Sequence, residues 1–423
     1  MTVTPWDEFR YGPWSADLVV PGEPPSEEVR ANKGLPGTLR PVPGDGVVQR
    51  PVFDPAMSGR AYGMRLSEPH FADAERSAGW LAARRAAIDH VLAALAGSEW
   101  AGQLMVRGSV LLAAWFGAAA REPGDVDFVV LDQGWAVDSD RTTSMFGDLA
   151  VRAAHASRAA DSLVRLDAAG ALDSEIWTYD RVPGRRLVLP WTSTAPGIPS
   201  GTVQLDFVFN ETPPQAPAWT EIARVGTPGP AARLIAASPE LSLAWKLLWI
   251  YTDRYPEGKD LYDAVLLAEN CTLPPDLLNA VIGEVTLASV PNAVFEADWE
   301  EFAKDYPRLA NDRDSMIWRL TVALAPTLTP GLGPALYDEI ARFLARGISK
   351  QRKQFATKGN TVVQDLLDPT YPPTPYLLVM LREILGPAAH SLDDVADLVA
   401  ARWREIGADV LRADPHTVAS GLR

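Results

Sequence analysis

One cysteine, Cys271, stands in 423 residues. No disulfide can form within the chain, so a reducing compartment, the cytoplasm, is expected. Histidine is nearly as scarce: the five present are scattered and none has the spacing of a zinc site. No run of about 18 uncharged apolar residues occurs, so no membrane span is expected. The first residues lack a basic region followed by an apolar stretch, which argues against secretion. Positive charge is in deficit, with 39 Lys and Arg against 54 Asp and Glu and a net charge of −15. A chain this acidic is a poor general polyanion binder. An RNA partner would need a local basic patch, whereas a small cation would be drawn in. What is present in abundance, 47% hydrophobic residues at a mean hydropathy of −0.04, describes a globular protein of two or three domains.

Residues 1–70 are rich in Pro and Gly, as in Pro21-Gly22-Glu23-Pro24-Pro25 and Pro41-Val42-Pro43-Gly44. Without sustained periodicity they read as an irregular N-terminal arm. Residues 71–236 read as an α/β (α+β) core with a small mixed sheet. Helices are expected at 71–96, 109–120 and 140–168, and strands at 103–107, 126–131, 175–179, 186–189 and 202–209. From 237 to 423 the pattern is helical, with helices over 239–252, 259–269, 274–285, 298–305, 314–325, 334–356, 376–385 and 392–412. Ser238-Pro239 is an N-cap followed by proline at the first helical position.

Chemistry concentrates at a few places. Asp125 and Asp127 flank Val126 and lead into Phe128-Val129-Val130. Strand side chains alternate, so the two carboxylates share a face. Asp206 repeats the anomaly between Leu205 and Phe207. If its strand lies alongside, three carboxylates cluster and repel unless cations sit between them. Hard oxygen ligands suit Mg²⁺, and two such ions clamp an in-line phosphoryl displacement. Gly108-Ser109 marks a strand-to-helix turn, with fifteen residues between Ser109 and Asp125. It is either an ordinary turn or a phosphate seat at a helix N-terminus.

Lys246 stands in the apolar helix Leu243-Ala244-Trp245-Lys246-Leu247-Leu248, either snorkelling to water or serving an anion. Asp260 and Asp263 lie one helical turn apart. Asp260 could serve the helix N-terminus, and Asp263 lies deeper. Arg254 could bind phosphate or pair with one of them. Finally, Arg342, Arg346, Lys350 and Lys353 follow one another at helical spacing in a stretch, 342–358, without an acidic residue. This face is either solvated or the place where a nucleic-acid backbone would bind.

Taken in order, these motifs resemble the AbiEii/AbiGii toxin family of the nucleotidyltransferase superfamily. That family combines a Gly-Gly or Gly-Ser turn, an Arg-x-x-x-Asp-x-Asp-Phe element, a later strand Asp, a helical Lys, an Arg and an Arg/Lys-Asp-Leu-Tyr-Asp segment. Here these correspond to Gly108-Ser109, Arg121 with Asp125-Val126-Asp127-Phe128, Asp206, Lys246, Arg254 and Lys259-Asp260-Leu261-Tyr262-Asp263. The resemblance spans about 75–270. It implies a nucleotidyltransferase core and an NTP donor, with Mg²⁺ on Asp125, Asp127 and Asp206. It also implies triphosphate binding by Gly108, Ser109, Arg121, Lys246 and Arg254, with Asp263 assisting or orienting Lys246. Family members are toxins of toxin–antitoxin or phage-defence systems, some adding nucleotides to tRNA, so an RNA acceptor and a cognate antitoxin are implied as partners. The chain departs from the family at Pro123, where Ser or Thr is usual, and in its long connection from Asp127 to Asp206. Two alternatives accompany this expectation: modification of a cationic small molecule such as an antibiotic, and a non-catalytic nucleotide-binding scaffold.

Overall fold

Alternation of apolar and polar side chains builds the sheet on which the first half of the chain is organised. The computed structural model describes residues 5–422 apart from 10, 11, 13, 16, 55–62, 160, 179–181, 227–228, 287–288, 296, 311–312, 329–333, 368–373 and 407–413. Two units are distinguished, Met1–Ala237 and Ser238–Arg423.

The first unit opens with a short 3-10 helix (Pro5–Glu8), followed by α1 (Glu27–Lys33), β1 (Val47–Val48), β2 (Pro51–Phe53), β3 (Met64–Leu66) and β4 (His70–Phe71). The segment expected to be irregular therefore carries short elements. Ser26 caps α1 by accepting from the Val29 N–H, and Gly34 ends it at φ 64°, a conformation that favours glycine. Trp6, Phe9, Val20, Val29, Leu35, Leu39 and Met64 cover one another in a small core. Their spacing follows neither helix nor strand period, which hid this core from pattern reading. β2 and β3 pair antiparallel, as do β1 and β4.

Next come α2 (Ala74–Ala96), β5 (Leu104–Arg107), α3 (Ser109–Phe116), β6 (Asp125–Val130), α4 (Asp140–Ala156) and β7 (Val164–Leu166). They are followed by β8 (Leu172–Thr178), β9 (Val182–Ser193), β10 (Gly201–Val208), β11 (Ala218–Ile222) and β12 (Ala232–Ala236). Eight of these strands form one mixed sheet in the order β11-β12-β5-β6-β10-β9-β7, with β8 paired to β9. β10 runs parallel to β6, and β12 runs parallel to β5. The helix expected to reach 168 stops at Ala156. Val164 and Leu166 are buried on either side of Arg165 and pair with β9, a strand too short for its alternation to stand out. Likewise Tyr179, at the end of an expected strand, lies outside the described residues.

One face of the sheet is an apolar core. Phe128 of β6 and Phe207 of β10 stack with ring centroids 4.9 Å apart, and Phe146 of α4 lies 4.9 Å from Phe207. Phe128 and Phe207 are fully buried. Because side chains alternate, the other face of the same two strands carries the aspartates.

The second unit is helical among its described residues. It comprises α5 (Pro239–Thr252), α6 (Gly258–Ala268), α7 (Pro275–Val281), α8 (Val290–Phe295), α9 (Trp299–Asp305), α10 (Arg313–Leu328) and α11 (Pro334–Phe343). These are followed by α12 (Ala345–Lys358), α13 (Thr361–Leu366), α14 (Thr374–Leu385), α15 (Leu392–Ile406) and α16 (Pro415–Gly421). Ser238 caps α5 through the Leu241 N–H, ahead of Pro239. The helix expected over 334–356 is two helices. Leu344 sits at the joint with ψ near 0°; Ile340, Leu344 and Ile348, spaced by four and so on one side of the chain, are buried in the core that includes Leu378 and Leu381. The end of the helix expected to reach 412 lies outside the described residues. No helix among the described residues is long and apolar enough to cross a membrane.

Phe207→Ala removes the ring shared by β6 and α4. Its expected cost is about 3–5 kcal/mol, read from urea unfolding of the full chain; a loss under about 1 kcal/mol would show that the stack does not hold the sheet.

Candidate active site

The register of four neighbouring strands lines up a row of charges. Arg107 of β5 is opposite Asp127 of β6, Asp127 is opposite Asp206 of β10, and Asp206 is opposite Arg186 of β9. Residues directly opposite on paired strands share a face, so the row reads cation, anion, anion, cation. Asp125, two residues before Asp127, joins the same face. Ligand atoms of Asp125, Asp127 and Asp206 all lie within 4.8 Å of one another. The structure therefore brings together the three carboxylates singled out in the sequence.

The flanking cations are partly occupied. Arg107 donates from Nη1 to both carboxylate oxygens of Glu211, at 2.9 Å each. Arg186 makes a two-point pair with Asp206, Nε to Oδ1 at 2.9 Å and Nη2 to Oδ2 at 2.8 Å. A third contact runs from its Nη1 to Asp54 Oδ2 at 3.4 Å. Burial acts to lower the Arg186 pKa, but Asp206, Asp54 and Asp125 outweigh it and hold the guanidinium charged. Burial pushes the Asp206 carboxyl above the usual range; Arg186 opposes this, while Asp125 and Asp54 add to it. Negative charge is thus in surplus, which favours a proton or a cation. The donor set is all carboxylate oxygen, without histidine or cysteine, and it fits a hard divalent ion such as Mg²⁺.

Arg107, Arg186 and Asp54 escaped the sequence reading. A signal existed for Arg186, a charge beside the apolar run Leu187-Val188-Leu189 and the same kind of anomaly that drew attention to Asp206. Asp54 offered none.

Gly108 and Ser109 join the end of β5 to α3. Gly108 has φ 84°, and a Cβ there would overlap the Asp127 carboxylate, so both backbone and space require glycine. Ser109 is buried, and its Oγ donates to Asp125 Oδ1 at 3.3 Å. The first N–H groups of α3 have no acceptor within the helix. Arg121 is buried in the loop leading into β6.

In the helical unit, Lys246 of α5 is buried with its Nζ 2.8 Å from Asp260 Oδ1 and 2.9 Å from Asp263 Oδ2. It also lies 4.7 Å from the Trp249 ring centroid. Both aspartates are buried on α6. Burial raises the Asp260 pKa, and Lys246 works against that. Asp260 thus acts as a partner of Lys246 alongside Asp263. Arg254, beyond the end of α5, is exposed with its guanidinium 5.7 Å from the Tyr255 ring centroid. The four basic residues expected on one helix face are divided: Arg342 is on α11, whereas Arg346, Lys350 and Lys353 are on α12. The turn at Leu344 is the reason. All four are exposed.

A mixed sheet whose polar face gathers three carboxylates beside a Gly-Ser turn places the chain, by class, among the nucleotidyltransferases. The family model described as nucleotidyl transferase AbiEii toxin, type IV toxin–antitoxin system, matches residues 90–326, more than half of the chain, and the chain belongs to that family. Among solved structures it is similar to MenT4, a nucleotidyltransferase toxin from Mycobacterium tuberculosis H37Rv. That similarity is at 17% identity and a TM-score of 0.37, over 60% of this chain and 86% of that one. No protein of curated function matches the chain.

Gly108→Ala is expected to displace Asp127 and lower nucleotidyl transfer by about 100-fold, measured with saturating NTP; an unchanged rate would show that the close approach is dispensable. Lys246→Met leaves two buried carboxylates without their cation and is expected to cost about 3–5 kcal/mol. Adding Asp260→Asn and Asp263→Asn should recover most of that loss in thermal denaturation. Failure to recover would mean that the loss does not come from the uncompensated carboxylate charge.

Proposed function

We propose that this nucleotidyltransferase toxin transfers NMP from an NTP to an RNA acceptor, tRNA in particular, in the cytoplasm, within a toxin–antitoxin or phage-defence system that includes a cognate antitoxin. An acceptor hydroxyl attacks the α-phosphorus, the bond to the β-phosphate oxygen breaks, and pyrophosphate leaves. The observation that carries this reading is the gathering of Asp125, Asp127 and Asp206 on one face of the sheet.

In this proposal those three residues hold Mg²⁺. When bound, the ions supply charge stabilisation to the attacking and leaving oxygens. Gly108 lets the backbone come close to the phosphates, and the Ser109 hydroxyl steadies Asp125 while the start of α3 faces the anion. Arg121, Lys246 and Arg254 are assigned to phosphate, and Asp263 orients Lys246. A catalytic core at 71–236, with a helical segment 237–423 that contributes Lys246 and Asp263, is part of the same proposal. The exposed Arg346, Lys350 and Lys353, with Arg342, favour a nucleic-acid backbone as acceptor. A net charge of −15 favours the second reading, a cationic small-molecule acceptor.

The deciding experiment supplies α-labelled NTPs, Mg²⁺ and total tRNA to the wild type and to Asp125→Ala/Asp127→Ala. Label on RNA with the wild type alone is the expected result. Bound nucleotide without labelled RNA would turn the assignment to a small molecule. Converting Arg346, Lys350 and Lys353 to Glu is expected to weaken RNA binding by about tenfold or more and to flatten its salt dependence. Unchanged RNA affinity would remove α12 from the acceptor surface.

A further inference from the structure

Arg186 stands between two carboxylates of different origin. Asp206 is its neighbour across the sheet, held by two short contacts that use both carboxylate oxygens. Gln204 Nε2 also donates to Asp206 Oδ2, at 3.3 Å. Asp54 comes from the N-terminal segment, just after β2, and its N–H donates to the Gly63 carbonyl at 3.0 Å across the β2–β3 pair. It offers Arg186 a single, longer contact of 3.4 Å. All three side chains are exposed by 11% or less, so water screens these charges weakly.

A guanidinium keeps its charge and presents five N–H donors in a rigid plane. While it grips Asp206 it stabilises the carboxylate row, but the same grip opposes any cation that would take Asp206. A second carboxylate beside the guanidinium gives it somewhere to shift. Asp54 is in that position, close enough to attract Arg186 and too far to hold it outright.

We propose that Arg186 and Asp54 are a positioning pair for the carboxylate site: Arg186 steadies Asp206 when no cation shares it, and Asp54 draws the guanidinium away when a divalent cation takes Asp206. The N-terminal segment is thereby a working part of the site. This inference rests on the divalent-cation role proposed above for Asp125, Asp127 and Asp206.

The test is Mn²⁺ binding to the purified full chain, followed by the electron paramagnetic resonance signal of free Mn²⁺, with circular dichroism confirming that each variant is folded. Arg186→Gln is expected to bind Mn²⁺ more tightly than the wild type and Asp54→Asn more weakly, each by about threefold or more. Asp54→Glu restores wild-type binding. Because Asp54 acts through Arg186, Asp54→Asn has no further effect in the Arg186→Gln background. If Arg186→Gln does not fold, Arg186→Met, which also removes the charge, serves in its place and again leaves Asp54→Asn without further effect. An Asp54→Asn effect of equal size in both backgrounds would overturn the proposal, as would shifts of the same sign in the two single variants. Wild-type Mn²⁺ binding by Asp125→Ala/Asp127→Ala would instead overturn the cation role itself, and the pair's role with it.

Discussion

Asp127 and Asp206 face one another on parallel strands, and the polar face of the sheet is arranged around the repulsion between them. Two carboxylates about 5 Å apart repel by about 3 kcal/mol at the effective dielectric of a partly buried site. The register answers this first with backbone geometry, placing an arginine at each end of the row. It answers only in part, since Arg107 is shared with Glu211 and Asp125 adds a further negative charge. The stacked phenylalanines on the opposite face are the counterweight. Phe128 and Phe207 alternate with the aspartates on the same strands, so the packing that orders the sheet also brings the like charges together.

The carboxylates could be read in the sequence because charge inside an apolar strand is conspicuous one residue at a time. Asp125, Asp127 and Asp206 each stand out against Val, Leu and Phe neighbours, and the start of α5 was visible in Ser238-Pro239. What remained hidden depends on partners remote in the chain. Asp54 reaches Arg186 from 132 positions away, and nothing local marks either residue as one of a pair. The small N-terminal core was missed for a related reason, since its apolar residues meet without periodicity. Strand β7 lay within an Ala- and Arg-rich stretch that looked like more helix, although Val164 and Leu166 take their place from β9. The break at Leu344 rests on a single ψ near 0°, which the apolar spacing of Ile340, Leu344 and Ile348 does not announce.

In the helical unit, one buried lysine meets two buried carboxylates. Such a cluster carries one more negative charge than positive and holds α5 to α6 by a polar contact inside an apolar bundle. Arrangements of this kind contribute less net stability than apolar packing but penalise misalignment heavily, since a shifted helix strands a charge. The same logic applies to Glu269 and Arg319, a two-point pair at 2.7 and 2.8 Å linking the end of α6 to α10.

The place of β10 in the sheet has a consequence for how such a protein is made. β10 is the last of the three strands that bring in Arg107, Asp127 and Asp206, yet it lies in the interior of the sheet, between β6 and β9. Its pairing with β6 closes a loop of more than seventy residues, the kind of long-range contact that forms late and slowly. During synthesis the chain therefore displays its Asp-x-Asp strand well before the third carboxylate exists. A nascent or truncated polypeptide that ends ahead of β10 lacks one of the three clustered carboxylates, so the sheet's own topology delays completion of the cluster until most of the first unit has been built.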